Sequence, residues 1–351
     1  MSSKVDFLTE PPGKPDEPYV LSFLGGELIV IPTSNSVMRL MVTGEERGNA
    51  FCIVGTGGTS SDPIGFHYHR QAHDILLCLK GEVDVWADNE SRTLTPGDLA
   101  SVPPGVVHQY QISAEHTEFI GLIMPGGWED FRFIGEPYQG PLFPDNDTRN
   151  PFEALVPKLI AATEKYDMVP VRNHPAVPLM PWKAGADNTL PGGLKPYFLK
   201  ANTGPKWLYG GMLCRPLVTR RESAGKFSIA RIEGSSHTGN ELFASANAIT
   251  FKGAHHCILV AEGKFRVMIE GAEVSVVPGE TVFIPAGKSF AWSFETVYAA
   301  VYIFNSGGGI VEMLERIASS FDMHVIPRES LRGNDRAKMK KLEDELGFVT
   351  E

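Results

Sequence analysis

Two stretches of the chain alternate apolar and polar residues with glycine or proline between the runs. They are ILLCLKGEVDVWADNESRTLTPGDLASVPPGVVHQYQI and ILVAEGKFRVMIEGAEVSVVPGETVFIPAGKSFAWSF. Such alternation predicts half-buried strands, because successive side chains of a strand point to opposite faces. Gly81, Gly97, Pro103 and Gly105 mark the turns of the first stretch, and Gly263, Gly279, Pro285 and Gly287 recur at a constant offset of 182. Tight turns need the positive φ of glycine and the fixed φ of proline at set places, so this register is a structural signal. The pattern predicts an all-β chain built from two copies of one small antiparallel barrel, closed on itself to remove exposed edges.

The texture changes between and after the copies. Asn150-Pro151-Phe152-Glu153 reads as a helix start, with Asn as cap, Pro in the first turn and Glu three residues on, while Pro157 limits the length of that helix. VPVRNHPAVPLMPWKAGADNTLPGG is rich in Pro and Gly and reads as an ordered linker. After Gly309 the spacing of Ile310, Val311, Met313, Leu314 and Ile317 predicts a helix with one apolar face. The mixed charges of RGNDRAKMKKLEDE read as a solvated helical face. The expected divisions are a first barrel over 1–145, a linker over 146–195, a second barrel over 196–308 and a helical tail over 309–351.

With 351 residues, 42% hydrophobic and 21% charged, the chain is long enough for two globular cores. The net charge of -10 argues against nucleic acid or an anionic membrane as the main partner. No run approaches the roughly 18 apolar residues of a membrane span. The N-terminus shows no apolar signal region, and Cys52, Cys78, Cys214 and Cys257 form no CxxC pair. A cytoplasmic protein with free thiols is the expectation.

The candidate chemistry lies in GFHYHRQAHDILLCLKG, Gly65 to Gly81. His67 and His69 are two apart and share one face of a strand. Asp74 is five beyond His69, which breaks strand parity unless the backbone bends between them. His73 by the same parity points away from Asp74, to the outer face or the rim. His108 follows the Pro103-Pro104-Gly105 turn and opens another strand, whereas His116 sits in the polar loop AEHTE and reads as surface. Three imidazoles and a carboxylate converging in a barrel mouth suit a divalent first-row metal. In the second copy the same positions are Ile249, Phe251, His256 and Phe290, with His255 alongside, so that barrel is expected to hold no metal and to serve packing.

These residues carry a resemblance. His67-Tyr-His69-x4-Asp74-x6-Gly81 and Gly97-x5-Pro103-Pro-Gly105-Val-Val-His108 resemble the two signature motifs of the cupin family, and two such domains make a bicupin. MRLMVTG, SVPPGVVHQYQI, GLIMPGGWEDF and PYFLKANTGPKWL resemble segments of the fungal quercetin 2,3-dioxygenases, and the likeness runs from about Pro18 to about Ser306. The resemblance implies His67, His69, Asp74 and His108 as metal ligands, one divalent transition metal per chain (Fe, Cu or Mn), and a metal-free second cupin. Asp74 stands where that family has Glu, the residue that takes the substrate's proton, so the departure touches both ligation and catalysis.

The implied function is a metal-dependent dioxygenase acting on a flavonol or related phenolic or polyketide ring, with Asp74 as general base. Phe66, Tyr68, Phe119, Met124, Trp128 and Phe131 are candidates for holding a flat substrate. Partners are then a small aromatic substrate and dioxygen, with room for a homodimer and with no nucleic acid or membrane. The alternative keeps the metal as a Lewis acid in a non-oxygenase cupin: an isomerase, cyclase, lyase or decarboxylase. A metal-free binding bicupin is a third reading, which the complete set of three histidines disfavours.

Overall fold

The computed structural model describes residues 5–46, 48, 50–126, 130–144, 146–238, 248–327 and 336–350. Its strands group into two units. One is Gly26–Thr203, and the other joins the chain up to Gly25 to the chain from Gly204 onward.

In the Gly26–Thr203 unit an eight-stranded sheet runs in the order Glu136–Pro137, Glu27–Val30, Ser36–Val42, Cys52–Gly58, Thr117–Met124, His73–Lys80, Leu99–Val102 and Tyr197–Leu199. A five-stranded sheet runs Val169–Pro170, His67–Tyr68, His108–Ile112, Val83–Ala87 and Glu90–Leu94. Leu76, Cys78 and Phe119 of the first sheet pack with Val83, Val85 and Ile112 of the second in one apolar core. This is a two-sheet jelly roll. Its sheets do not join into the closed cylinder that the strand pattern suggested; short edge strands blunt the open edges instead.

The second unit repeats the plan. A nine-stranded sheet has His256–Glu262, Ala299–Ser306 and Phe227–Gly234 as neighbours at its centre, and a five-stranded sheet includes Phe265–Ile269, Ser289–Phe294 and Ile249–Phe251. The turn residues that revealed the repeat adopt matching backbone angles. Gly81 and Gly263 have φ of 71° and 72°, Gly97 and Gly279 of 90° and 89°, and Gly105 and Gly287 both of 81°. A side chain at the first pair would also collide with backbone: a Cβ on Gly81 would lie 2.2 Å from the His116 carbonyl oxygen, and one on Gly263 would lie 2.3 Å from that of Tyr298. A further match appears at an offset of 176, where Thr43 N donates to Glu46 Oε2 at 2.8 Å and Thr219 N to Glu222 Oε2 at 3.0 Å.

Strand pairing divides the chain differently from the four segments expected. Tyr19–Leu21, placed by pattern in the first barrel, pairs with Thr281–Ile284 of the second unit. Tyr197–Leu199, placed in the second barrel, pairs with Leu99–Val102 of the first. The helical tail is not an appendage either. Helix Gly309–Ile317 buries Ile310, Val311, Met313 and Leu314 in the core of the second unit, and strand Phe348–Thr350 completes its five-stranded sheet.

The linker is equally built in. Asn150 caps helix Pro151–Ala154, its side chain accepting from Phe152 N at 3.0 Å, and a second helix, Val156–Lys165, begins with Pro157 in its first turn. Beyond it, Val169–Pro170 pairs with His67–Tyr68, and Trp86 Nε1 donates to the Val177 carbonyl at 2.8 Å. Buried Arg92 donates to Asp187 at 2.8 and 3.2 Å. These contacts attach the whole segment to the five-stranded sheet of the first unit.

Candidate metal centre

Strand His67–Tyr68 is short because the chain leaves the ladder at His69 and re-enters it at His73. That break supplies the bend that parity requires. His67 and His69 point inward before it, and Asp74 points inward after it. His108 lies directly across from His67 in the antiparallel pairing. The ligand atoms of His67, His69, Asp74 and His108 all lie within 4.8 Å of one another.

Each ring is held in the same sense. His67 Nδ1 donates to the Gly65 carbonyl at 3.0 Å, His108 Nδ1 to the Val106 carbonyl at 2.9 Å, and His69 Nδ1 to the Asp167 carbonyl. A carbonyl only accepts, so all three Nδ1 atoms carry protons and a neutral ring has its lone pair at Nε2. Asp74 Oδ2 lies 3.2 Å from His69 Nε2 and 3.3 Å from His108 Nε2. Asp74 Oδ1 is buried and has no hydrogen-bond partner among the described residues. Lone pairs and a carboxylate crowded together are stable only with a proton or a cation among them. The donor set therefore suits a transition metal, with imidazole nitrogens and one carboxylate oxygen.

The electrostatics agree. Burial pushes His67 down to about 3, helped by the charges of His108 and His69. Burial also opposes charge on His69, yet the Asp74 carboxylate, by attraction and by hydrogen bond, and the Asp167 carbonyl push it up to about 9. Burial alone would raise Asp74, but the attraction of His69 and the hydrogen bonds from His108 and His69 hold its carboxyl well below the usual carboxylate range. The cluster thus takes up positive charge and keeps its carboxylate ionised.

The remaining sequence candidates separate by face. His73 faces away from the cluster, but it is buried rather than on the outer face or the rim, and it bonds Ser101 Oγ through Nε2 at 2.8 Å. His116 is exposed and pairs with Glu118 at 2.9 Å. Among the substrate candidates, Phe119 lies inside the unit, its ring 5.1 Å from that of Tyr110. Phe131 packs on a second interior cluster that includes Leu40, Val54 and Ile123. Tyr68 and Met124, the latter buried, face away from the cluster because each alternates along its strand with an inward neighbour, His67 and Ile123, and Phe66 precedes the strand. Phe66 there meets the His174 ring at 4.5 Å. Trp128 lies outside the described residues.

Two residues near the cluster escaped the sequence reading. Tyr110 follows His108 by two on one strand and so shares its inward face, which strand parity could have revealed. Burial, then the charge of Asp74, raise its phenol well above the ordinary value, so it keeps its proton and can donate. Asp167 lies 98 residues from His69, and no local signal marks it.

The equivalent positions of the second unit are apolar core. Ile249, Phe251 and Phe290 are buried, and the His256 ring sits 4.9 Å from Phe251 and 5.2 Å from Phe290. His256 Nε2 accepts from Ile310 N at 3.3 Å. His255 Nδ1 accepts from Ala286 N at 3.2 Å. Both histidines are thus engaged in structural hydrogen bonds.

Comparison with known proteins fits this geometry. A family model for the cupin domain matches residues 51–122. The quercetin 2,3-dioxygenase of Aspergillus japonicus is 28% identical over 320 residues, covering 83% of this chain and 89% of that protein. The quercetin 2,3-dioxygenase of Bacillus subtilis (strain 168) is 24% identical over 316 residues, covering 89% of each. A solved variant of B. subtilis oxalate decarboxylase shares the fold with a TM-score of 0.50 at 13% identity, over 82% of this chain and 77% of that one. With two jelly-roll units, a His67-His69-Asp74-His108 cluster in the first and this breadth of likeness, the chain carries a cupin domain over residues 51–122 and resembles a bicupin of the fungal quercetin 2,3-dioxygenase kind.

Proposed function

We infer that this chain is a metal-dependent dioxygenase of the quercetinase type, acting on a flavonol or a related phenolic or polyketide ring. The observation that carries the reading is the convergence of His67, His69, Asp74 and His108 within 4.8 Å, with every Nδ1 proton committed to a backbone carbonyl. These four residues would hold the metal, iron, copper or manganese. When bound, the metal supplies a Lewis-acid site that makes a phenolate or enolate electron-rich toward dioxygen.

The chain's own residues do the rest. Asp74, placed among the candidate ligands, is the carboxylate in position to accept the proton of an acidic substrate hydroxyl. Tyr110, protonated and on the inward face beside His108, offers a donor to a substrate oxygen. The apolar cluster of Leu40, Val54, Ile123 and Phe131 offers a wall for a flat ring and limits the entry of water.

A second reading, a non-oxygenase cupin using the metal as Lewis acid, is favoured by one feature. Asp74 has one methylene less than Glu, and its Oδ2 lies against His69 and His108, within the ligand cluster. Oxygen-electrode measurements on metal-loaded protein with a flavonol separate the two. Oxygen uptake in step with loss of the flavonol supports the dioxygenase. Turnover at an undiminished rate without oxygen would sink it and leave the second reading standing.

A further inference from the structure

We propose that Asp167, in the segment between the two jelly-roll copies, is the positioning residue for His69. The proposal rests on the reading of the cluster as a metal centre. Two of the three imidazoles are oriented locally, since His67 and His108 bond carbonyls two residues earlier in their own turns. His69 alone depends on a distant residue, the Asp167 carbonyl. The turn that carries His69 leaves the strand ladder, so the N–H groups of Arg70, Gln71 and Ala72 need other acceptors. The Asp167 carboxylate takes all three, at 2.6, 2.8 and 2.9 Å. Arg70 Nη1, 4.0 Å from the same carboxylate, adds a weak, exposed attraction.

One residue therefore fixes the turn through its side chain and the ring on that turn through its main chain. Asp167 is itself held in place, because Val169–Pro170 pairs with His67–Tyr68 and Val171 N donates to the Phe66 carbonyl at 2.8 Å. The consequence is chemical. While the carbonyl holds the proton on Nδ1, Nε2 of His69 can face the cluster as a donor. If the turn relaxes, the ring can rotate or place its proton on Nε2, where it blocks coordination.

The test uses the full chain freed of metal and titrated with cobalt(II), whose visible absorption reports the ligand set. Asp167→Ala is expected to weaken cobalt(II) binding by about 10- to 100-fold, the usual effect of losing an outer partner of a ligating histidine, and to alter the absorption at saturation. Asp167→Asn, with one acceptor oxygen instead of two, falls between Asp167→Ala and the parent. Asp187→Ala is the control, since Asp187 secures the same segment through Arg92 but does not touch the turn. Parent-like affinity and absorption in Asp167→Ala would overturn the positioning role and leave the metal centre intact. An equal loss in Asp187→Ala would overturn it as well, by showing that any loosening of the segment suffices. Failure of the parent protein to bind cobalt(II) would overturn both this proposal and the metal-centre reading.

Discussion

At the scale of single residues, Asp74 is the position on which the proposed chemistry turns. Its carboxylate lies between two imidazoles, so removing its charge acts on both ligation and proton transfer. Asp74→Asn is expected to retain metal at reduced affinity and to lower turnover by about 10²- to 10⁴-fold, the usual worth of a positioned general base. Elemental analysis and steady-state rates check this, and undiminished turnover would exclude Asp74 as the base. His67→Ala and His108→Ala should each lose the metal altogether. By contrast His73→Ala should retain it, since buried His73 faces away from the cluster and bonds Ser101. Strand parity puts His67 and His69 on one face and turns His73 from it, as the pairing of the strands has them, whereas His108 follows from the Pro103-Pro104-Gly105 turn and the motif. The sequence could not place Phe66, Tyr68 and Met124, because aromatic or apolar character does not say which face of a strand a residue occupies.

At the scale of elements, the turns are the most constrained part of the repeat. Gly81 and Gly105 both have positive φ, but only Gly81 faces backbone where a Cβ would lie; Gly105 has open space around it. Gly105→Ala should therefore cost about 1–2 kcal/mol, the price of a left-handed conformation, and Gly81→Ala distinctly more. Urea unfolding of the two variants decides it, and equal losses would mean that the chain relieves the collision by shifting the strand Thr117–Met124. The linker was the element least legible in advance. Its Pro and Gly content reads only as an ordered linker, yet Val169–Pro170 is a strand, Asp167 holds the His69 turn and Asp187 anchors buried Arg92. Such pairings join residues about a hundred positions apart, beyond the reach of local periodicity.

For the whole molecule, the second unit links stability to pH. His256 is pushed down to about 3 by burial and by the neighbouring charge of His255. The unfolded chain then binds a proton below about 6.5 that the folded chain refuses, so stability is full above that pH and falls as pH drops toward 3. Between pH 6.5 and 5 this residue alone should remove about 2 kcal/mol. His256→Gln keeps an acceptor within reach of the Ile310 N–H and removes the titration, so its stability should vary less over that range. Urea midpoints at pH 7 and pH 5 measure the difference; an equal decline in the parent and the variant would assign the acid sensitivity to other groups.

By itself the sequence determined the duplicated all-β plan, the turns and the candidate donors of the first copy, because each rests on local rules: alternation along a strand, positive φ at glycine, and the spacing of donors on one face. It also exposed the altered second copy, since Ile249, Phe251 and Phe290 fall in register with the histidines of the first. Only the tertiary structure decided which strands complete which unit, since hydrogen-bond pairing is non-local and Tyr19–Leu21 and Tyr197–Leu199 read alike as short apolar strands. It alone brought Asp167 under the His69 turn, because an acceptor for N–H groups that leave the ladder is chosen by proximity in space, which no spacing along the chain encodes.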